Sequence, residues 1–446
     1  MTATASTAQA GGGLAMPAFG ALQGLRILDT GRNNAGPWAG TLAADFGAEV
    51  IHVEPLQGEI YRFDQAAWAQ EKRNQRDLTL DLRGAEGREI FLKLCARSDI
   101  WIESSIPGTY GKLGLDDPAI WRVNPKLVIV HVSGFGQTGH PDYVRRASYD
   151  MIGQAFGGLM FIQGLPEPSP PIAAKPYLCD YITGLWTLWS ALAAYVHAQR
   201  TGQGQAIDIS QYECMLRMLA DTAVNYFQND DIKQRLGNRH PMAVPWDTYQ
   251  SRDGVWFCIN AAGEPFARLC RAIGVDPADE RWSPQFEKCL SGMPGAIAFE
   301  DELRRWMQAH AADEVEAILT IQFQVPCQRV YNIKDLADDP HCAARANFIE
   351  WDDPVWGRVK GVGIIPKFSA TPGHIWRGAP GLGQDNDEIL AALGKLLQER
   401  YRIKAVVMEQ PMRELPLKTG KLIDAMGDKL DDMAKRVDVA LTATGD

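Results

Sequence analysis

The sequence predicts an α/β protein: an open, mostly parallel, Rossmann-like sheet forms a large domain, and a smaller α/β domain accompanies it. Three observations lead there. Short apolar runs recur at Leu25–Asp29, Val50–Glu54 and Ile100–Glu103, each ending in an acidic residue, and at Leu127–Val132, which leads to Gly134. Helical segments lie between them, and this alternation is the signature of a parallel sheet covered on both faces. The chain is 446 residues long and 46% apolar, more than one ordinary domain needs.

Taken in order, residues 1–19 are small and polar, with a run at Gly11-Gly12-Gly13, and read as a disordered lead-in without the basic start and apolar stretch of a signal peptide. Residues 20–228 form the first part of the large domain. Leu25–Asp29 is a strand, the Gly31, Gly36 and Pro37 region a turn opening a helix, and Val50–Val53 with Glu54 the next strand. A helix over Gly84–Arg97 precedes the strand at Ile100, and the run at Leu127 ends in a Ser133-Gly134-Phe135-Gly136 turn. The Pro-rich stretch Pro166–Pro176 breaks the alternation. A long helix from Tyr181 to about Arg200, stopped by Gly202, a strand at Ala206–Ile209 and a helix over Gln211–Phe227 follow.

Residues 229–335 read as the small domain. Arg252-Asp253-Gly254 turns a hairpin between Tyr249–Ser251 and Val255–Ile259, and amphipathic helices are expected at Phe266–Ile273 and Phe299–Ile321. Residues 336–446 are expected to return to the large domain, with a strand near Val359–Ile365 and a helix near Glu388–Tyr401.

Composition narrows the function. A net charge of −10 argues against nonspecific nucleic-acid binding, while leaving room for a local basic pocket. The eight cysteines are scattered without a CxxC pair, which reads as reduced thiols of a cytoplasmic protein. The apolar stretch Ile182–Val196 is shorter than the ~20 residues a membrane span needs, so it reads as a buried helix. No metal-ligand spacing such as HExxH occurs among the histidines.

Ligands of open parallel sheets bind beyond the carboxyl ends of the strands, which nominates Asn33, Asn34 and the Ser133, Gly134 and Phe135 turn. The first turn invites a dinucleotide reading, but glycines at 31, 36 and 40 do not fit G-x-G-x-x-G. Asp180 directly precedes the long helix. Its bland explanation is an N-cap, and its functional one a nucleophilic carboxylate held at a helix N-terminus. The pattern alone does not choose between them.

Several stretches together resemble the class III CoA-transferase (CaiB/BaiF) family, most closely its carnitine CoA-transferase branch. They are Leu22-Gln-Gly-Leu-Arg-Ile-Leu-Asp29 with Ala35-Gly36-Pro37, Gly47-Ala-Glu-Val-Ile51 with Glu54, and Asn124-Pro-Lys-Leu-Val128 with Ser133-Gly-Phe-Gly-Gln137. Ile207-Asp-Ile209 with Tyr212-Glu213 and Met215-Leu-Arg-Met218, Ile365-Pro-Lys-Phe368, and Ile375-Trp-Arg-Gly378 continue the match over residues 18 to 400.

The resemblance implies transfer of CoA from an acyl-CoA, such as succinyl-CoA or a carnitine-type acyl-CoA, to a free carboxylic acid. It makes Asp180 the nucleophile, working through an aspartyl anhydride and an aspartyl-CoA thioester. It places CoA contacts at Asn33 and Asn34, at Lys112 for the phosphates, and at Arg83. CoA and acyl-CoA are then substrates, with no permanently bound cofactor and no metal, and the assembly is an interlocked homodimer or a heteromer with a related subunit.

The glycine-rich loop that shields the intermediate in some relatives has no counterpart at Arg239–Trp246. α-Methylacyl-CoA racemases of the same family carry a His where this chain has Tyr149 before Asp150. A phenol of pKa about 10 makes a poor base near neutral pH, so transferase is favoured. A non-catalytic subunit of a heteromeric transferase is the alternative from another class, and the retained Asp180 argues against it.

Overall fold

The computed structural model describes residues 16–393. Six parallel strands form the main sheet: β1 Arg26–Asp29, β2 Glu49–Glu54, β3 Arg76–Thr79, β4 Ile100–Glu103, β5 Val128–Ser133 and β6 Ala206–Ser210. Their order is β3-β2-β1-β4-β5-β6, so the strand order reverses between β1 and β4 and opens a crevice there.

Register sorts the side chains into two faces. Ile27, Ile100 and Val128 stand abreast, as do Ile102 and Val130. They pack with Ala39 and Ala43 of the Pro37–Asp45 helix and with Ala191, Ala194 and Ala198 of the Leu178–Thr201 helix. The alanines let both helices approach the sheet closely. On the other face Leu28, Trp101 and Ile129 stand abreast. Trp101 meets Phe91 edge-on at 5.3 Å, and its indole N–H donates to Thr30 Oγ1 at 2.9 Å.

Strand β3 was not anticipated. Its sequence Arg-Asp-Leu-Thr has no apolar run: Leu78 is buried, but its other two buried side chains are polar, Asp77 lying against Arg62 and Arg76 against Glu388.

The expected helix over Gln211–Phe227 is two helices, Gln211–Arg217 and Thr222–Asn229, separated where Ala220 takes a φ of 51°. The expected hairpin is present as β7 Trp246–Gln250 and β8 Trp256–Asn260, joined by β9 Cys327–Arg329 into an antiparallel sheet of order β7-β8-β9. A separate core of Phe257, Ile259, Leu269, Trp282, Phe299 and Leu303 lies beneath it. The helix expected at Phe299–Ile321 is also interrupted. Pro294–Ala309 ends before an extended His310, and the chain turns helical again at Ala312. Tertiary bonds hold the break, since Arg252 binds the carbonyl of Ala309 and the Asp253 carboxylate accepts the N–H of Ala312.

The strand expected near Val359–Ile365 does not join the main sheet. It is β11 Gly357–Val362, paired antiparallel with β10 Phe348–Asp353. The chain does reach the main sheet through side chains. Arg73 and Gln70 donate to the carbonyl of Val362, Asn74 to that of His374, and the N–H of Asp77 bonds Asp385. The last described helix is Asn386–Ala392, and the expected continuation to Tyr401, like residues 1–15 of the lead-in, lies outside the described residues. Among the described residues no helix is long and apolar enough to cross a membrane.

Candidate active site

The carboxyl edge of the sheet gathers the site. β1 delivers the loop with Asn33 and Asn34, and β5 delivers Ser133, Gly134 and Phe135. The Leu178–Thr201 helix runs back to the amino end of β6, so its own N-terminus with Asp180 rises to the same edge. β6 then ends at Ser210, and Gln211 is the next residue.

Asp180 does not cap the helix, contrary to the bland sequence explanation. The helix starts at Leu178, which places Asp180 within the first turn. The capping carboxylate comes from elsewhere: Asp150 Oδ1 accepts the N–H groups of Cys179 at 2.8 Å and Asp180 at 3.3 Å. Asp150 also accepts from the Gln154 amide at 2.7 Å. The Asp180 side chain is thereby released from the helix. It is only 8% exposed, and Oδ1 accepts from Gln211 Nε2 at 2.7 Å. Burial raises its pKa, the Asp150 charge adds to this, and the Gln211 bond offsets part of it, leaving Asp180 at about 7.

Beside it, Tyr181 stacks edge-on against Trp38 at 4.7 Å and donates its hydroxyl to Glu71 at 3.2 Å. Burial raises the pKa of Glu71, partly opposed by Arg73 and the Tyr181 bond. A side chain at position 184 would press on Trp38, so Gly184 lets the helix seat against the β1 loop.

The Asn33 turn stands on a buried charged pedestal. Asp29 Oδ1 accepts the N–H of Gly31 at 2.8 Å, and Glu59 Oε2 accepts that of Asn33 at 2.9 Å. His52 bridges the two carboxylates at 2.9 and 3.0 Å, with Lys72 at 3.8 and 3.4 Å from them. Burial and Lys72 work against the imidazolium, yet Asp29 and Glu59 outweigh them and raise His52 to about 10. Burial opposes ionisation of Glu59 too, but Lys72, His52 and the Asn33 N–H bring it down to about 2. This grip holds Asn33 at a φ of 57°, a left-handed conformation that Asn tolerates better than most residues. Across the crevice, the N–H of Arg32 donates to Ser104 Oγ at 2.8 Å.

The remaining candidates divide. Ser133 Oγ accepts the N–H of Gly136 at 2.9 Å, and Phe135 is buried against Tyr143, Phe156 and Tyr212. Gly134 lies so close to Ser148 that a Cβ would overlap it. Lys112 and Arg83 also follow carboxyl ends of strands, β4 and β3 respectively, and both are exposed. No hydrogen bond or ion pair among the described residues joins either of them to Asp180. Glu54, the acidic residue of the dinucleotide reading, is buried and spent on Arg62 and the N–H of Glu59. Tyr149, where the racemases carry histidine, is 70% exposed.

The sequence reading did not single out Gln211, Ser148 or the His52–Lys72 pedestal. A polar residue directly after the last strand was the available signal for Gln211.

A doubly wound sheet with a desolvated carboxylate at its carboxyl edge is the architecture of an α/β enzyme. Comparison with known proteins gives the particular kind. CoA-transferase family III matches residues 22–386, and the chain belongs to that family. The bile acid CoA-transferase BaiK of Clostridium scindens is 43% identical over 86% of this chain and 88% of its own. The L-carnitine CoA-transferase of Proteus mirabilis is 35% identical over 85% of this chain and 94% of its own. A CAIB/BAIF family protein from Brucella suis shares the fold at a TM-score of 0.73 and 30% identity, over 84% of this chain and all of that one. The chain is thus a CoA-transferase, and CoA thioesters are its substrates.

Proposed function

We propose that Asp180 is the nucleophile of a two-stage exchange of CoA between carboxylic acids. The observation that carries this is a buried carboxylate at the carboxyl edge with one oxygen tied and its pKa near 7. Desolvation makes such a carboxylate a stronger nucleophile than one in water, while it remains largely ionised just above neutrality. Asp180 attacks the donor thioester, the C–S bond breaks, and CoA leaves as thiolate. The thiolate attacks Asp180 Cγ and expels the donor acid, leaving an aspartyl-CoA thioester. The acceptor carboxylate then expels CoA from Cγ, and the thiolate takes the acceptor's acyl group, regenerating Asp180.

CoA contacts are assigned to Asn33, Asn34, Ser133, Gly134 and Phe135, with Arg83 and Lys112 supplying charge to the phosphates. The two named relatives direct the search for the acid toward steroid carboxylates and trimethylammonium acids. Exposed Trp189, Phe227 and Ile333 support burial against a second copy in an interlocked dimer. Residues 229–335 are read as the small domain, and the cysteine pattern supports a cytoplasmic setting.

The test is incubation with acyl-CoA and a panel of acids, followed by hydroxylamine trapping and peptide mass analysis. A hydroxamate on Asp180 is expected. Turnover with trapping at another residue, or none, refutes the assignment, and purified chain without any transfer supports the silent-subunit alternative.

A further inference from the structure

Gln211 leaves β6 at the same edge as Asn33 and Ser133, and its side-chain amide is clamped from two sides. An ionised Asp180 can only accept, so the amide nitrogen faces it, at 2.7 Å from Oδ1. The amide oxygen then faces Ser148, whose Oγ donates to it at 2.8 Å. Glycines permit this packing. A Cβ at Gly134 would overlap Ser148, and one at Gly153 would overlap Cys179 and crowd Gln211. The result is a fixed N–H dipole aimed at one Asp180 oxygen, while Oδ2 has no hydrogen bond among the described residues.

We infer that Gln211 is a catalytic residue, the oxyanion donor for every attack on Asp180 Cγ, and that Ser148 is its positioning residue. This rests on Asp180 being the nucleophile. Oδ2, the oxygen without a donor, forms the anhydride with the donor acyl group. When CoA thiolate adds to Cγ, a C–S bond forms and the π pair of Cγ=Oδ1 moves onto Oδ1, which already faces Gln211 Nε2. As that pair returns, the Cγ–Oδ2 bond breaks and the donor acid departs with Oδ2. Attack by the acceptor carboxylate on the aspartyl-CoA thioester places charge on the same Oδ1 and expels CoA thiolate. Both tetrahedral states at Cγ therefore meet a donor that needs no reorganisation.

Gln211→Met keeps the side-chain volume and removes the donor. Its kcat is expected to fall by about 10²- to 10³-fold, the range for losing one oxyanion donor, with KM for acyl-CoA little changed. The acid limb of kcat/KM should also move to higher pH, because the Gln211 bond lowers the Asp180 pKa. Ser148→Ala frees the amide to rotate and should lose a smaller part of kcat, again with KM little changed. A Gln211→Met enzyme that keeps kcat within about threefold of wild type, while hydroxylamine still traps Asp180, overturns the inference. If circular dichroism shows that Gln211→Met does not fold, Ser148→Ala decides: an unchanged kcat overturns it and a reduced one supports it. Failure to trap Asp180 in the wild type would refute the nucleophile itself, an outcome separate from either variant's.

Discussion

Replacing Asp180 by Asn should abolish transfer and stabilise the fold at the same time, by an amount that depends on pH. In the folded protein the Asp180 pKa stands at about 7, against an ordinary 3.8, with burial as the main cause and Asp150 the second. The folded state therefore holds this proton more tightly than the unfolded chain. Below pH 3.8 both states are protonated and the carboxyl costs nothing. As pH rises from 3.8 to 7 the unfolded chain ionises first, and the fold carries a growing penalty that is complete above 7. With roughly 1.36 kcal/mol per pKa unit, that penalty is about 2 kcal/mol at pH 5 and about 4 kcal/mol at pH 8. Asn offers its oxygen to Gln211 and cannot ionise, so it escapes the penalty. Urea denaturation of both proteins at pH 5 and pH 8 should show the stability gap in favour of Asp180→Asn widening by about 2 to 3 kcal/mol. A gap that stays constant between these pH values would refute the reasoning, since it would mean that burial does not perturb Asp180.

Two further outcomes follow from buried charges away from Asp180. Arg73 forms a pair with Asp45 at 2.6 Å and donates to the carbonyl of Val362 at 2.7 Å, so Arg73→Ala leaves the buried Asp45 with only the Asn74 amide at 3.0 Å and frees the returning segment. A loss of about 3 to 5 kcal/mol by urea denaturation is expected, and a loss below about 1 kcal/mol would show that Asp45, whose pKa burial already raises, gives up its charge when Arg73 is removed. His52 has a folded pKa of about 10 against 6.5, so the stability it contributes is complete below pH 6.5 and is lost as pH rises through 10. Urea midpoints of the wild type should fall across that window, and His52→Gln should flatten the fall while raising KM for acyl-CoA through the loosened Asn33 turn. A His52→Gln profile parallel to wild type would contradict the pedestal.

The bland and functional readings of Asp180 turn on where one helix begins. From sequence, the apolar stretch starts at Tyr181 and makes Asp180 a natural cap. In the fold, three more residues join the helix because Asp150, thirty positions earlier, satisfies its first N–H groups. Capping by a distant carboxylate leaves no local mark. The same holds for β3, whose buried Asp77 interrupts the apolar signature of a strand; burial and Glu54 push its carboxyl well above the usual range, and it lies against Arg62. The broken helices at Ala220 and His310 were invisible for a related reason, since amphipathic spacing continues past both breaks.

By itself, the sequence determined the alternation of strands and helices, and hence an open parallel sheet whose carboxyl edge carries Asn33 and Ser133. Apolar period and strand-end chemistry are local properties that a linear string carries. Only the tertiary structure decided what surrounds Asp180. Gln211 comes from one segment and Ser148 with Asp150 from another, and they meet at Asp180 because the sheet brings β6 beside β5 and glycines let the backbones close. The perturbed carboxylate is a property of that convergence, since desolvation and a neighbouring charge exist only once distant residues share one interior.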